Sequence, residues 1–293
     1  MKPLDIDLRE PLLELVRRTS TVLAPDVVVS IERAAANELK GTAAWNAMQT
    51  VIENIHLARE KSAPVCQDTG HLTFHVHSPF GYSQNMLIEQ MLWAVRTASA
   101  KTYLRPNSVD SLTGKNSGDN TGLGFPMFYF HEWEKDELRF DLMLKGGGCE
   151  NVGAQYRLPH APLGAGRDLE GVRRVVLDAI DKAQGYGCSP GIIGVGIGGD
   201  RGTGYLVSKE QLFRKLDDKN PNAELGALEE RIVAEANQLG IGPMGFGGKT
   251  TILAVKIGAS HRVPASFFVS ISYACWADRR GRLSWKNGEV SYD

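Results

Sequence analysis

Long apolar runs are missing from this 293-residue chain, which excludes a membrane-spanning helix. The opening residues, MKPLDIDLREPLLELVRR, set acids among the apolar positions. No secretory signal is therefore expected, and the cytoplasm is the expected location. Net charge is nearly absent, with 33 Lys+Arg against 34 Asp+Glu. The chain thus lacks the electrostatic footprint of a nucleic-acid or anionic-membrane partner. Cysteine is scarce, and four residues are too few for a disulfide scaffold; in a reducing compartment such cysteines are more often ligands or reactive groups. No repeat, low-complexity segment or linker interrupts residues 1–293, so a single domain is expected. What is present is an ordinary globular balance, 42% hydrophobic and 23% charged, sufficient for a sizeable core. Glycine is the anomaly: 32 residues, about 11% against a usual ~7%.

The first sixty residues read as helical. Leu12, Leu13, Leu15 and Val16 give an amphipathic opening helix. Asp26 is placed to cap a second helix through Ile31, Ala34 and Ala35, and Thr42 a third through Met48, Val51 and Ile55. The pattern then alternates over Leu72–His77, as in a strand, and returns to helix over Ser83–Lys101. Residues 105–124, RPNSVDSLTGKNSGDNTGLG, form a long polar loop, a length that is usually functional in a compact domain. Strands are expected at 125–131, 138–144, 192–197, 251–257, 266–273 and 281–285, and helices at 168–183, 208–216 and 223–239. Helices followed by mixed elements predict an α/β or mixed α+β fold, with a helical N-terminal part over 1–60.

Glycine clusters fall at the strand ends: Lys145-Gly146-Gly147-Gly148, Gly194–Gly199 and Gly240–Thr251. Such runs bring backbone N–H groups close to a ligand, usually an anion. Gly247-Gly248-Lys249-Thr250 ends like a phosphate-binding loop, but Pro243 stands where the opening glycine belongs and the following residues are strand-like. Gly194–Gly199 also fails the dinucleotide spacing and reads better as a tight strand-to-helix turn. The cysteines, Cys66, Cys149, Cys188 and Cys275, are far apart and form no C-x-x-C pair, which argues against a zinc knuckle. Isolated cysteines are mostly small core residues. Each of these, however, sits near a turn-forming residue, and three thiolates meeting at one point could hold an iron–sulfur cluster with one iron open.

Five segments carry a resemblance: Cys66-Gln67-Asp68-Thr69-Gly70, Leu104-Arg105-Pro106-Asn107, Lys115–Thr121, Lys145–Gly148 and Gly240–Thr251. In order and in content they resemble the class I iron–sulfur fumarases and the α subunits of L(+)-tartrate dehydratase, over residues 40 to 282. The resemblance implies a fumarase class I α-domain, with 61–293 as its cluster-binding part. It implies a [4Fe–4S] cluster on Cys66, Cys188 and Cys275, with Cys149 at a position that is serine in many relatives. It implies substrate contacts from Gln67, Arg105, Gly146 and Gly147, and proton handling by Asp68. The family's acid–base histidine would fall at Val263, and His261, two residues earlier, is the candidate replacement. His71, His75 and His77 share one face of a strand and read as packing or supporting residues.

The activity so implied is a hydro-lyase acting on a C4 dicarboxylate, fumarate/malate foremost, with L(+)-tartrate or mesaconate as alternatives. In such a reaction a Lewis-acidic iron eases loss of hydroxide, a poor leaving group. The family implies a β subunit as partner, with an α homodimer also possible. A reading from another class is a non-catalytic cluster- or metal-binding homologue, motivated by Val263.

Overall fold

A computed structural model of the chain describes residues 6–293; residues 1–5 of the expected helical part lie outside it. The fold is mixed α/β, as the sequence implies. Contacts divide it into two compact units. The first comprises the chain up to Ala24, Asn54–Gly147 and Arg279–Asp293; the second comprises Pro25–Glu53 and Gly148–Asp278.

In the first unit, α1 (Arg9–Thr21) buries Leu12, Leu15 and Val16, the stripe seen in the sequence. Helix α4 (Gln84–Ala100) is capped by Ser83, whose hydroxyl accepts from Met86 N at 3.3 Å. Both helices contribute to the core of a five-stranded sheet. Its strands are β1 (His71–Ser78), β2 (Met127–Glu132), β3 (Leu138–Lys145), β8 (Arg279–Lys286) and β9 (Glu289–Tyr292), in the order β2-β1-β3-β8-β9. Only β1 and β2 run parallel. Period-two alternation sends Leu72, Phe74 and Val76 to the helix-covered core, beside Leu87, Met91, Phe140 and Leu283.

The same alternation puts His71, His75 and His77 on the opposite face. His75 Nδ1 lies 3.2 Å from His131 Nε2, and His77 stacks on His131 with centroids 4.7 Å apart. One ring of the His75–His131 pair must donate and the other accept. Burial, reinforced by the His131 imidazole, lowers the His75 pKa from 6.5 to about 4. Burial also lowers that of His77 to about 4, with the Arg139 guanidinium adding to the shift. These rings pack and pair.

The second unit holds α2 (Pro25–Asn37), β4 (Ala154–Arg157), α6 (Leu169–Ala183), β5 (Gly191–Ile197), α7 (Arg201–Gln211), α8 (Ala223–Asn237), β6 (Ile252–Ala259) and β7 (Phe268–Ala274). Helix α3 (Ala43–Lys61) divides between the units at Asn54, and the short α5 (Gly147–Asn151) at Gly148. The sheet order is β4-β7-β5-β6, with β5 and β6 parallel and the other pairs antiparallel. Val172, Val176, Ile193, Val195, Ile232, Ile257 and Ile271 share its core. A Cβ on Gly194 would come 2.0 Å from Ser208 O and one on Gly196 2.3 Å from Gly204 O. The glycines therefore let α7 lie directly against β5, a packing reason for their spacing.

Several boundaries differ from expectation. The helix expected at 208–216 begins at Arg201, because Asp200 caps it through Thr203 N at 2.7 Å. Asp26 is not a cap: Pro25 opens α2, and the Asp26 carboxylate accepts from Leu216 N at 2.7 Å. Strands β4 and β9 are four residues each, too short for a period to show. No helix among the described residues is long and apolar enough to cross a membrane.

Candidate active site

Strand direction decides which motifs meet. In the first unit, His71 at the start of β1 pairs with Lys145 at the end of β3, and Leu144 pairs with Arg279 at the start of β8. The Cys66–Gly70 turn, Gly146–Gly147 and Arg279 therefore collect at one end of the sheet. Gly70 has φ +79°, and a Cβ there would lie 2.6 Å from the Lys145 backbone. Only glycine lets the turn close onto β3 in this way.

Asp68 is the centre of this end. Its Oδ1 accepts from Gly70 N at 3.0 Å and from Asn107 Nδ2 at 3.4 Å, and its Oδ2 accepts from Gly147 N at 2.8 Å. Backbone donors on both oxygens hold the carboxylate in one orientation. Gly146 is small for the same reason, since a Cβ there would come 2.9 Å from Asp68 Oδ2. The N–H of Gly147, expected to face substrate, is therefore already given to Asp68. Gln67 is exposed and Cys66 partly exposed.

Arg105 is anchored through its backbone. Its N–H donates to Thr69 Oγ1 at 3.2 Å, and its carbonyl accepts from Asn120 Nδ2 at 3.0 Å. Asn120 is 1% exposed and also accepts from Asn107 N at 2.7 Å. Two polar side chains thus organise residues 105–120 from inside. The Arg105 side chain is exposed and makes no ion pair with any described residue, which leaves both guanidinium edges available to a ligand carboxylate.

In the second unit the same logic gathers three cysteines. Cys149 precedes β4, Cys188 precedes β5 and Cys275 follows β7. Because β7 is antiparallel to both β4 and β5, all three lie at one end of this sheet. Cys149 Sγ donates to Gly187 O at 3.8 Å, and Trp276 N donates to Cys188 O at 3.3 Å. Burial raises the phenol pKa of Tyr273, and negative charge on Cys149, Cys275 and Cys188 adds to the shift. All three thiols thus act on one ring. Cys188 has φ +55°, a conformation an L-residue adopts only where its surroundings hold it.

The Gly240–Thr251 segment leads into β6 at this same end. Glu38, 5% exposed, accepts from Lys249 N at 3.0 Å and from Thr250 N at 2.8 Å. An internal carboxylate therefore occupies the donors that a phosphate would need, which removes the phosphate-loop reading.

The structure does not bring His261 to the cysteines. It follows β6 and sits beside the end of β5, where its carbonyl accepts from Gly199 N at 3.2 Å. Cys188 and Cys275 flank the opposite end of β5, and a seven-residue strand spans roughly 20 Å. His261 is exposed, and Val263 beside it is 65% exposed. His261, the candidate replacement for the family histidine, thus lies at the opposite end of this sheet from Cys188 and Cys275.

Sequence reasoning passed over Asn120 and Glu38 as individual contributors. Asn120 lay inside a quoted motif, and its φ of +60° is one that asparagine tolerates better than most residues. Glu38 gave no signal, because its partners are over 200 positions away.

The second unit thus gathers thiols at one sheet end, and the first unit holds an oriented carboxylate and an exposed guanidinium, within a mixed α/β fold. The chain belongs to the fumarate hydratase (fumerase) family, whose model matches residues 9–284. It is 54% identical over 276 residues to a protein of Geobacillus stearothermophilus named "Putative fumarate hydratase class I", covering 93% of this chain and 54% of that protein. A Methanocaldococcus jannaschii protein named "Putative L(+)-tartrate dehydratase subunit alpha" is 34% identical, with 92% of this chain and 94% of that protein covered. The L(+)-tartrate dehydratase subunit alpha of Escherichia coli strain K12 is 32% identical, with 80% and 76% covered. The chain thus spans about half the length of the class I relative and nearly all of the M. jannaschii protein.

Proposed function

We propose that this chain is the cluster-bearing α part of an iron–sulfur hydro-lyase that adds water to, and removes it from, a C4 dicarboxylate. Fumarate/malate is the preferred pair, supported by the higher identity to the class I relative. The observation that carries the reading is Asp68, a carboxylate held by two backbone N–H groups two residues after Cys66 and at the same sheet end as the Arg105 anchor.

Cys66, Cys188 and Cys275 would hold the cluster. The donor chemistry fits: thiols are the ligands such clusters take, and the two from the second unit share one sheet end. Cys149 shares that end, but its thiol donates to a backbone carbonyl, which suits a supporting role. When bound, the cluster supplies a Lewis-acidic iron that polarises the substrate hydroxyl. The chain's own residues do the rest. Arg105 grips one carboxylate through paired N–H donors. Asp68 takes the proton from the carbon beside a carboxylate in dehydration and returns it in hydration. Gln67, exposed beside it, offers an amide to substrate oxygen. Gly146 leaves room for this arrangement, and Gly147 orients Asp68.

With His261 at the far end of its sheet, the second acid–base group is assigned to a β chain matching the remaining half of the class I relative. Residues 1–293 would act as one α domain, which a single calorimetric transition would support and two separate transitions would contradict.

Anaerobic reconstitution tests the reading. About four irons with matching sulfide per chain, and hydration of fumarate once the β chain is added, are expected. Cys66→Ser, Cys188→Ser and Cys275→Ser should each lose the stable cluster, while Cys149→Ser keeps it. Zinc without sulfide, or a cluster retained in one of the first three variants and lost in Cys149→Ser, would overturn the assignment.

A further inference from the structure

Arg279 is the largest side chain among the fully buried residues, at 2% exposure. It opens β8 opposite Leu144. Its Nη1 donates to the Asp68 carbonyl oxygen at 2.6 Å. Its Nε makes no hydrogen bond, and it forms no ion pair with any described residue. A guanidinium this buried is costly unless a charge of opposite sign lies near. Asp278, 1% exposed, precedes it in the chain, and the Asp68 carboxylate lies on the other side of Gly146. A Cβ on Gly146 would stand 2.9 Å from Asp68 Oδ2 and 3.7 Å from Arg279 Nη2, so the two groups flank the same point, kept open by the missing side chain. Arg279 thus holds the Asp68 backbone by one nitrogen and presents its charge toward the Asp68 side chain with another.

We propose that Arg279 is a positioning residue for Asp68: it sets the turn that follows Cys66 and so keeps the Asp68 carboxylate in the orientation that Gly70 and Gly147 define. The proposal rests on Asp68 handling the proton. Arg279 does not contact substrate. Its effect passes through the Asp68 carbonyl and across the turn.

Two consequences separate this from a merely structural role. Misplacing Asp68 slows proton transfer without altering the Arg105 grip, so kcat falls while KM stays within a few-fold. Loosening the turn also frees the amides that Asp68 accepts from, so Gly70 N–H and Gly147 N–H exchange faster. Lys at this position keeps the charge but cannot donate from two directions.

The experiment compares wild type, Arg279→Met and Arg279→Lys in the reconstituted complex with the β chain, per bound iron. Expected for Arg279→Met are a kcat at least tenfold lower and a nearly unchanged KM. Arg279→Lys should restore only part of kcat. A raised KM at constant kcat, or an unchanged kcat in Arg279→Met, would overturn the proposal. Should Arg279→Met fail to fold, the kcat of Arg279→Lys decides alone: a wild-type kcat would refute the positioning role. Amide hydrogen exchange in the cluster-free α chain gives a readout independent of activity. Gly70 and Gly147 should lose protection in the Arg279 variants, and unchanged protection would refute the coupling to Asp68. If wild-type complex hydrates nothing, the activity reading fails, and exchange still judges the positioning.

Discussion

Replacing Asp68 with asparagine is a small change in shape and a large one in hydrogen bonding. Both carboxylate oxygens accept a backbone N–H, from Gly70 at 3.0 Å and from Gly147 at 2.8 Å. Asparagine has one acceptor oxygen, so in either orientation its amide nitrogen faces a donor. One charge-assisted bond is lost and one N–H is left without its partner, a cost of about 2 kcal/mol. At about 2–4 °C per kcal/mol for a chain approaching this size, the cluster-free protein should melt roughly 4–8 °C lower. Turnover per bound iron should fall much further, because the amide cannot take a proton. Calorimetry of the α chain and initial rates of the assembled complex measure the two effects separately. If Asp68→Asn melts with wild type, the carboxylate does not bridge the two glycine amides. If it melts lower but turns over normally per iron, Asp68 is only structural.

Gly70→Ala should cost several kcal/mol, since the position has φ +79° and a methyl group would meet the Lys145 backbone at 2.6 Å. Gly114→Ala, at φ +70° with nothing within 4 Å, should cost only about 1 kcal/mol; equal losses in urea denaturation would refute the close approach. Glu38→Ala removes the acceptor for Lys249 N and Thr250 N at about 2–4 kcal/mol, and trypsin should then cut after Lys249 faster than in wild type. The buried His75, with its pKa lowered to about 4, titrates near 6.5 when unfolded. Between those values the unfolded chain binds the proton and the folded one does not. Stability is therefore full above pH 6.5 and falls as pH drops toward 4, by at most about 3 kcal/mol. His75→Gln should flatten that slope in denaturant titrations, and an unchanged slope would contradict the assignment.

Much of the fold was legible because it is local. The Leu12–Val16 stripe, the Thr42 cap, which accepts from Trp45 N, and the Leu72–Val76 alternation are each written within one turn or strand, and the structure follows them to within a few residues. The helix expected at 208–216 was displaced because the cap at Asp200 lay outside the apolar pattern used to find it. The motif segments, including Cys66–Gly70 and Lys145–Gly148, are recognisable from their residues and their order along the chain, and with them the family.

What the sequence by itself determined is the local chemistry: which residues carry thiol, carboxylate and guanidinium groups, and which glycines let the backbone turn beside them. Strand order and direction decided the rest. The antiparallel pairing of β3 with β1 and β8 places Gly147 and Arg279 against Asp68, separated by 79 and 211 positions. The run of β6 away from Lys249 carries His261 to the opposite sheet end from Cys188 and Cys275. A hydrogen-bond partner far along the chain leaves no period or spacing to read, because only the register of the folded sheet brings the two together.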